Sequence, residues 1–127
     1  VDGESQNLYC VVKVPQAYNA GNPIKLRVNH FHEAASATQL LMSQATLIEP
    51  GDAFDDVTDQ RTSTNAAVTA GNKVITESVC DLTDTLGQIN GNAVAPGDLI
   101  KVRLYRGTDS STSDLYFIES ASEVTFA

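Results

Sequence analysis

The clearest pattern in the chain is the alternation of apolar and polar side chains over residues 99–106, directly after the turn Pro96-Gly97-Asp98. Successive side chains of a β-strand point to opposite faces of its sheet, so the alternation predicts a strand with one apolar and one polar face. The apolar face would carry Ile100, Val102 and Leu104, and the polar face Lys101, Arg103 and Tyr105. A sheet with one apolar face needs a second layer to cover it.

The same pattern recurs over residues 24–31. The inward side chains would be Ile24, Leu26 and Val28, and the outward ones Lys25, Arg27 and Asn29. Two strands of this kind predict an all-β fold, an antiparallel β-sandwich whose apolar faces pack together. A chain of 127 residues suits a single domain, here residues 1–127.

Five further segments also have the composition of strands. They are residues 8–14, 40–49, 73–82, 115–118 and 122–126. A helix is the alternative over residues 40–49, because Leu40, Gln44 and Leu47 also fit a helical stripe; the following Pro50-Gly51 and the β-rich surroundings favour a strand. The sandwich would then contain about seven to eight strands.

Polar and turn-forming residues predict the connections. Residues 51–72 are rich in Thr, Asn and Ala and predict one long loop, with a short helical turn at residues 52–57. Residues 33–38 predict a turn, and Asn90-Gly91 predicts a tight turn between strands. The polar residues 1–7 predict an extended N-terminal arm, with two alternatives: it reaches a neighbouring subunit, or it is a loose surface segment.

Sixteen acidic residues against eight basic ones give the chain a net charge of −8. Such a surface repels phosphate backbones and anionic lipids, so we expect no nucleic-acid partner and no membrane partner. In addition, no apolar run in the sequence approaches the roughly 20 residues of a membrane-spanning helix.

The charged residues are segregated along the chain. The acidic residues of the long loop are Asp52, Asp55, Asp56 and Asp59, and the basic pairs on strand faces are Lys25 with Arg27 and Lys101 with Arg103. Acidic loops and basic faces on one molecule predict protein interfaces, including contacts between copies in a homo-oligomer. Two alternatives stay open for the loop: a calcium site, because calcium prefers oxygen ligands, and a solvated loop without a partner.

Few residues suggest reaction chemistry. His30 and His32 would share one strand face, but a metal site needs three or four ligands, so surface histidines are favoured. Cys10 and Cys80 lie in apolar runs and are interpreted as two free buried thiols, with a single disulfide as the alternative. The sequence has no Gly-rich phosphate loop and no Gly-x-Ser-x-Gly motif, so we expect neither an enzyme nor a cofactor.

Two segments combine a turn with an amphipathic strand. One spans Val12–Val28 and includes the Val-Pro-x-x-Tyr element at Val14–Tyr18; the other spans Ala95–Leu104. Both patterns resemble those of small virion proteins of tailed bacteriophages. The resemblance implies a jelly-roll-like sandwich on the capsid surface of a virion. It also implies a capsid decoration or cementing protein, with the major capsid protein or other virion subunits as its partners.

Two other functions are compatible with the same fold. A carbohydrate-binding or adhesion module would need exposed aromatic side chains to stack on sugar rings; the chain has no Trp and offers Tyr18, Tyr105, Tyr116 and a few Phe. A subunit of an extracellular filament would differ from a capsid protein mainly in the symmetry of its contacts.

Overall fold

A computed structural model describes residues 7–32, 37–55, 58–64, 68–70, 73–107 and 115–127. Its strands are β1 (Asn7–Lys13), β2 (Ile24–His32), β3 (Ala37–Gln39), β4 (Leu41–Ile48), β5 (Gln60–Thr64), β6 (Val68–Ala70), β7 (Thr76–Asp81), β8 (Gln88–Ile89), β9 (Asn92–Ala93), β10 (Leu99–Arg106) and β11 (Leu115–Phe126). These described ranges contain no helix long and apolar enough to cross a membrane.

The longer strands form two antiparallel sheets that pack against each other. Sheet A has the strand order β1-β10-β4-β5, and sheet B has the order β11-β2-β7. The chain passes repeatedly from one sheet to the other, as in many antiparallel β-sandwiches. The predicted all-β sandwich is confirmed, and the described residues place seven strands in its two main sheets; β3 with β6 and β8 with β9 add two short ribbons.

The core lies between the inner faces of the two sheets. The six residues predicted to face inward from β2 and β10 are all buried, and none is more than 7% exposed. Leu41 and Ala45 of β4 and Leu115 of β11 complete this aliphatic layer. Full burial of one such aliphatic side chain contributes about 1.5–3 kcal/mol, so these inner faces supply most of the stability.

The segment with competing predictions, residues 40–49, forms strand β4. It pairs with β10 on one side and β5 on the other, and its first four side chains alternate between buried and half-buried. The choice of a strand over a helix is therefore confirmed. Tertiary pairing decided between two patterns that the local sequence supports about equally.

Two connections were predicted wrongly. Residues 51–72 are not one loop, because β5 and β6 lie within them. Residues 54 and 55 lie in a turn and residues 56 and 57 lie outside the described ranges, so the helical turn predicted at residues 52–57 stays a prediction. Residues 33–36 also lie outside them, but Ala37–Gln39 is a strand rather than the end of a turn.

Three further predictions concern the C-terminal strand, one hairpin turn and the N-terminal arm. The two strands predicted over residues 115–126 are one strand, β11, with a register shift between Ile118 and Glu123. The predicted tight turn at Asn90-Gly91 is confirmed: both residues have positive φ, 51° and 77°, and they join β8 to β9. Of the predicted N-terminal arm, only Asn7 is described, and it begins β1.

Candidate functional site

One side of the sandwich is open between β1 and β11. These strands end sheets A and B, and in the described structure each pairs with one neighbour only. A cavity of about 300 Å³ lies between them, and we call it the edge groove. Its lining residues are Leu8, Tyr9, Cys10, Val12, Leu26, Val28, Val102, Leu104, Phe117, Glu119, Ser122, Glu123 and Val124. The groove therefore brings solvent close to side chains of the apolar core.

On the opposite side of the sandwich, Arg61 links the two sheets. Its Nη1 donates a hydrogen bond to the carbonyl oxygen of Asp81 at 2.8 Å and so joins β5 to β7. On the groove side, the β11 bulge is held by Ser122, whose Oγ accepts from the Asn29 N–H at 3.1 Å and donates to the Ile118 carbonyl at 2.7 Å. The two Ser122 bonds fix the backbone of the bulge, which carries the groove residues Glu119 and Glu123.

Cys10 and Cys80 are both free, but their surroundings differ. Cys80 is fully buried, whereas Cys10 is exposed in the edge groove, so the prediction of two buried thiols is wrong for Cys10. Desolvation by the groove walls raises the pKa of the Cys10 thiol, and the Glu119 carboxylate raises it further. Burial raises the pKa of the Cys80 thiol to about 12.

The two thiols should therefore react differently with an aromatic disulfide reagent, because the thiolate is the nucleophile. We expect the native protein to release one equivalent of chromophore at pH 8, from Cys10, and a second only after unfolding in urea. The rate for Cys10 should rise steadily with pH through and above the ordinary thiol range, since its pKa is raised. Equal rates for the native protein's two thiols would contradict the burial of Cys80.

A second cavity, of about 360 Å³, lies on the outer face of sheet A, and we call it the outer-face pocket. Its lining residues are Tyr9, Gln44, Thr46, Phe54, Asp55, Gln60, Lys101 and Arg103. The strand register explains the floor: Tyr9, Arg103 and Gln44 lie opposite one another across β1, β10 and β4. The loop after β4 supplies the opposite wall with residues 54 and 55.

Lys101 is only 5% exposed, although the alternation in β10 placed it on the wetter face. That prediction of exposure was wrong because the loop after β4 folds over the outer face of sheet A. Lys101 Nζ donates a hydrogen bond to the Phe54 carbonyl and lies 5.1 Å from the centroid of the Phe54 ring. These partners offset part of the cost of burying the charge.

Arg103 lies on the same face as Lys101 and is half-buried. Its Nε donates to Asn7 Oδ1 at 2.7 Å, and its Nη1 donates to Gln44 Oε1 at 2.8 Å. The guanidinium carbon lies 3.9 Å from the centroid of the Tyr105 ring. These two hydrogen bonds fix the plane of the guanidinium group. Both acceptors are neutral amides, so the bonds do not neutralise its positive charge.

Tyr9 and Phe54 form an aromatic wall beside these cations. Their ring centroids are 5.7 Å apart and the ring planes meet at 64°, an edge-to-face arrangement. Both side chains remain exposed, Tyr9 at 50% and Phe54 at 56%. Sequence reasoning missed this pair; the one available signal was that β1 is apolar on both of its faces.

The second predicted basic face, on β2, is balanced by acidic neighbours. Lys25 Nζ lies 3.0 Å from Asp81 Oδ1, and Arg27 Nη1 lies 3.0 Å from Glu77 Oε1. Exposed pairs of this kind are worth about 1 kcal/mol or less to stability. A partner of this face would meet ion pairs rather than a basic surface, and its interface role stays a prediction.

Two of the acidic loop residues have local structural contacts. Asp52 Oδ2 accepts a hydrogen bond from the Glu49 N–H at 2.7 Å and stabilises the turn after β4. Asp59 Oδ1 accepts one from Asn92 Nδ2 at 3.0 Å, which connects the loop to the β8–β9 hairpin. Their predicted role at an interface stays a prediction.

The other two acidic loop residues have different positions. Asp55 lines the outer-face pocket together with Lys101 and Arg103, whereas Asp56 lies outside the described residues. Over the described ranges, no three or more His, Cys, Asp or Glu side chains form a group that could hold a metal ion. The structure thus adds a contact between the loop and Lys101 of β10, and places Asp55 in the same pocket as Arg103.

His30 is fully buried, so the prediction of a surface histidine is wrong. β2 is the central strand of sheet B, and His30 shares its inner face with Ile24, Leu26 and Val28. The ring Nε2 makes a hydrogen bond with Ser78 Oγ at 2.7 Å. The side chain of His32 lies outside the described part of the structure.

The tyrosines proposed for sugar stacking are engaged in other contacts. Tyr18 is 6% exposed and donates a hydrogen bond to the Asn22 carbonyl at 2.7 Å. Tyr116 stacks on Phe31 with ring centroids 4.9 Å apart, and the ring of Tyr105 is covered by the Arg103 guanidinium. An exposed aromatic wall is instead provided by Tyr9 and Phe54.

The edge groove and the outer-face pocket are the two candidate sites. The groove is mainly apolar and lies between strand edges, whereas the pocket combines polar and charged side chains with an aromatic wall. Comparisons of the chain with models of protein families, with curated proteins and with solved structures found no match. Function is therefore inferred from the residues of these two cavities.

Proposed function

We propose that this protein is a structural virion subunit, a capsid decoration or cementing protein that stabilises a phage head. It would do so by binding an extended segment of a neighbouring subunit in the edge groove. The main support is that β1 is an edge strand with apolar side chains on both faces. Tyr9 and Val11 are 50% and 46% exposed on its outer face, while Leu8, Cys10 and Val12 line the groove. Edge strands of monomeric proteins usually carry charges or proline that prevent further pairing, and β1 has a single charge, at Lys13.

An extended polypeptide suits the groove because, over the described residues, β1 and β11 each pair with a strand on one side only. The outer edge of β1, over residues 8–13, would offer backbone N–H and C=O groups to a further strand. Alternate side chains of that strand would point into the groove and contact apolar residues such as Val102 and Phe117. Each Å² of apolar surface buried there contributes about 25 cal/mol, which is how a cementing protein adds stability to a shell.

Charge at the groove favours a basic partner. Glu119 and Glu123 line the groove, and the whole chain carries a net charge of −8. We expect the bound segment, from the major capsid protein or another virion subunit, to carry Lys or Arg next to its apolar residues. A second copy of this chain is disfavoured in the groove, so contacts within a homo-oligomer would use other surfaces and stay a prediction.

Filling the groove should remove attachment without unfolding the protein. Cys10→Phe places a large apolar side chain in the groove, and Val11→Phe places the same side chain on the opposite face of β1. We expect Cys10→Phe to weaken binding by about tenfold or more, and Val11→Phe to bind within about twofold of the wild type. Cosedimentation with phage particles assembled without this protein measures the affinity, and thermal unfolding confirms that both variants fold.

The same assay tests two claims separately: that the groove is the contact site, and that the protein binds capsids. Wild-type binding should weaken as salt rises, because charges are screened beyond about 8 Å at physiological ionic strength. Equal binding by Cys10→Phe and wild type would exclude the groove as the contact. Failure of the wild type to bind particles would contradict the cementing function, and filaments formed by the purified protein would identify a filament subunit instead.

A further inference from the structure

The outer-face pocket combines an aromatic wall, polar side chains and a fixed cation in one cavity. We infer that it binds an acidic sugar, such as a uronic or sialic acid unit of a polysaccharide. Tyr9 lines both cavities, but the other strand residues of the pocket, such as Gln44 and Arg103, lie on the face of sheet A opposite to the groove residues Cys10 and Val102. Sugar binding neither requires nor follows from the cementing function.

The aromatic wall provides a surface for the apolar face of a sugar ring. Tyr9 and Phe54 are both at least half exposed, and their edge-to-face contact presents ring surfaces in two directions. Removing the surface of a large aromatic side chain from water is favourable in free energy. A sugar ring packed against Tyr9 and Phe54 would cover part of this surface, while its hydroxyl groups would still reach polar partners.

Polar side chains for those hydroxyl groups lie on the pocket floor. Gln44 is already engaged: its Oε1 accepts from Arg103, and its Nε2 donates to Thr62 Oγ1 at 3.1 Å. Gln60 also lines the pocket, and its side-chain amide makes no hydrogen bond within the described residues. A primary amide has two donors and one acceptor, which suits adjacent hydroxyl groups on a ring.

The cations select for an acidic ligand. Arg103 uses Nε and Nη1 in its two hydrogen bonds, and among the described residues Nη2 makes none, so it can donate to a carboxylate. The described lining contains Lys101 and Arg103 against one carboxylate, Asp55, whereas the whole chain has a net charge of −8. A locally positive pocket on an acidic protein favours an anion over a neutral sugar.

The size of the pocket fits one sugar unit with its neighbours outside. Its volume of about 360 Å³ lies at the small end of ligand sites, which span roughly 300–1,000 Å³. A polysaccharide could therefore place one acidic unit against Arg103 and continue along the open face of sheet A. On the surface of a particle, such a site would attach the particle to acidic polysaccharide.

The test titrates the full-length protein with oligomers of glucuronate, with N-acetylneuraminic acid and with a neutral glucose oligomer of matched length. Binding is followed by NMR chemical shifts. We expect acidic sugars to bind about tenfold or more tightly than the neutral one, and Phe54→Ala to weaken them by a similar factor. Arg103→Gln should remove the preference for acidic sugars. Leu86→Ala is the control, because Leu86 is an exposed apolar side chain, at 68%, outside the pocket.

A second measurement and four results decide whether the inference stands. If Arg103→Gln does not fold, the salt dependence of wild-type binding replaces it: acidic sugars should lose affinity as salt rises, and neutral ones should not. The inference is overturned if acidic sugars do not bind at about 10 mM, if neutral sugars bind equally well, or if Phe54→Ala has no effect. Equal or tighter binding of a poly-glutamate peptide would also overturn it, because the pocket would then recognise protein carboxylates.

Discussion

Ile100→Asp is expected to prevent the protein from folding. Ile100 is fully buried in β10, between Val12 of β1 and Leu47 of β4. Removing its aliphatic side chain costs about 2–5 kcal/mol, and an unpaired carboxylate in the same place costs several kcal/mol more. A small domain has a free energy of unfolding of only about 5–15 kcal/mol, so the variant would be largely unfolded. Far-UV circular dichroism and urea titration measure the loss.

Val11→Asp is the matched control for a new carboxylate in sheet A. Val11 lies on the neighbouring strand, is 46% exposed, and has Lys101 as its partner across the strands. We expect its free energy of unfolding to stay within about 1 kcal/mol of the wild type, as for most exposed positions. If Ile100→Asp unfolded cooperatively with the same urea midpoint as the wild type, the Ile100 face of β10 would not lie in the core.

The sequence predicted the central strands best. Residues 24–31 and 99–106 were identified from alternation, and the structure places β2 and β10 in the interior of their sheets. Such a strand has paired edges and one covered face, so its apolar and polar positions are well separated. β5 was missed because it is an edge strand of polar residues, whose pairing with β4 rests on backbone hydrogen bonds.

Exposure of single residues was harder to predict than strand position. Alternation assigns a residue to a face, but sheet order and loops decide whether that face is covered. Cys10 faces inward at an open edge and is exposed, whereas His30 faces inward on a central strand and is buried. Lys101 faces outward and is buried by a loop whose Phe54 is 47 residues away in the chain.

The two cavities could not be predicted from the sequence for a similar reason. The edge groove exists because β1 and β11 end different sheets on the same side of the sandwich. The outer-face pocket joins Tyr9, Phe54 and Arg103, which come from three separate segments. The sequence identified Arg103 and Asp55 as candidate interface residues, but their proximity follows from strand register and loop position.

Gly87→Ala is expected to destabilise the protein strongly although it adds only one methyl group. Gly87 has φ +72°, and a Cβ there would lie 2.5 Å from both the carbonyl carbon and the oxygen of Gly21. Because these are backbone atoms, no side-chain rotation relieves the clash. The turn itself is tied down: Gly87 N–H donates to the Asp84 carbonyl at 3.0 Å, and Asp84 Oδ1 accepts from the Leu86 and Gln88 N–H groups.

Gly91→Ala separates this clash from the conformational cost of a positive φ. Gly91 has a nearly equal φ, +77°, but a Cβ there meets nothing within 4 Å. Its variant should lose about 1–2 kcal/mol, the cost of a left-handed alanine, whereas Gly87→Ala should lose about 3 kcal/mol or more. Urea unfolding of both variants gives the two values. Similar losses would mean that the turn at Gly87 moves away from Gly21 freely. A larger loss for Gly87→Ala would mean that this approach holds the loop before β2 against the rest of the sandwich, and with it the entry of Ile24 into the core.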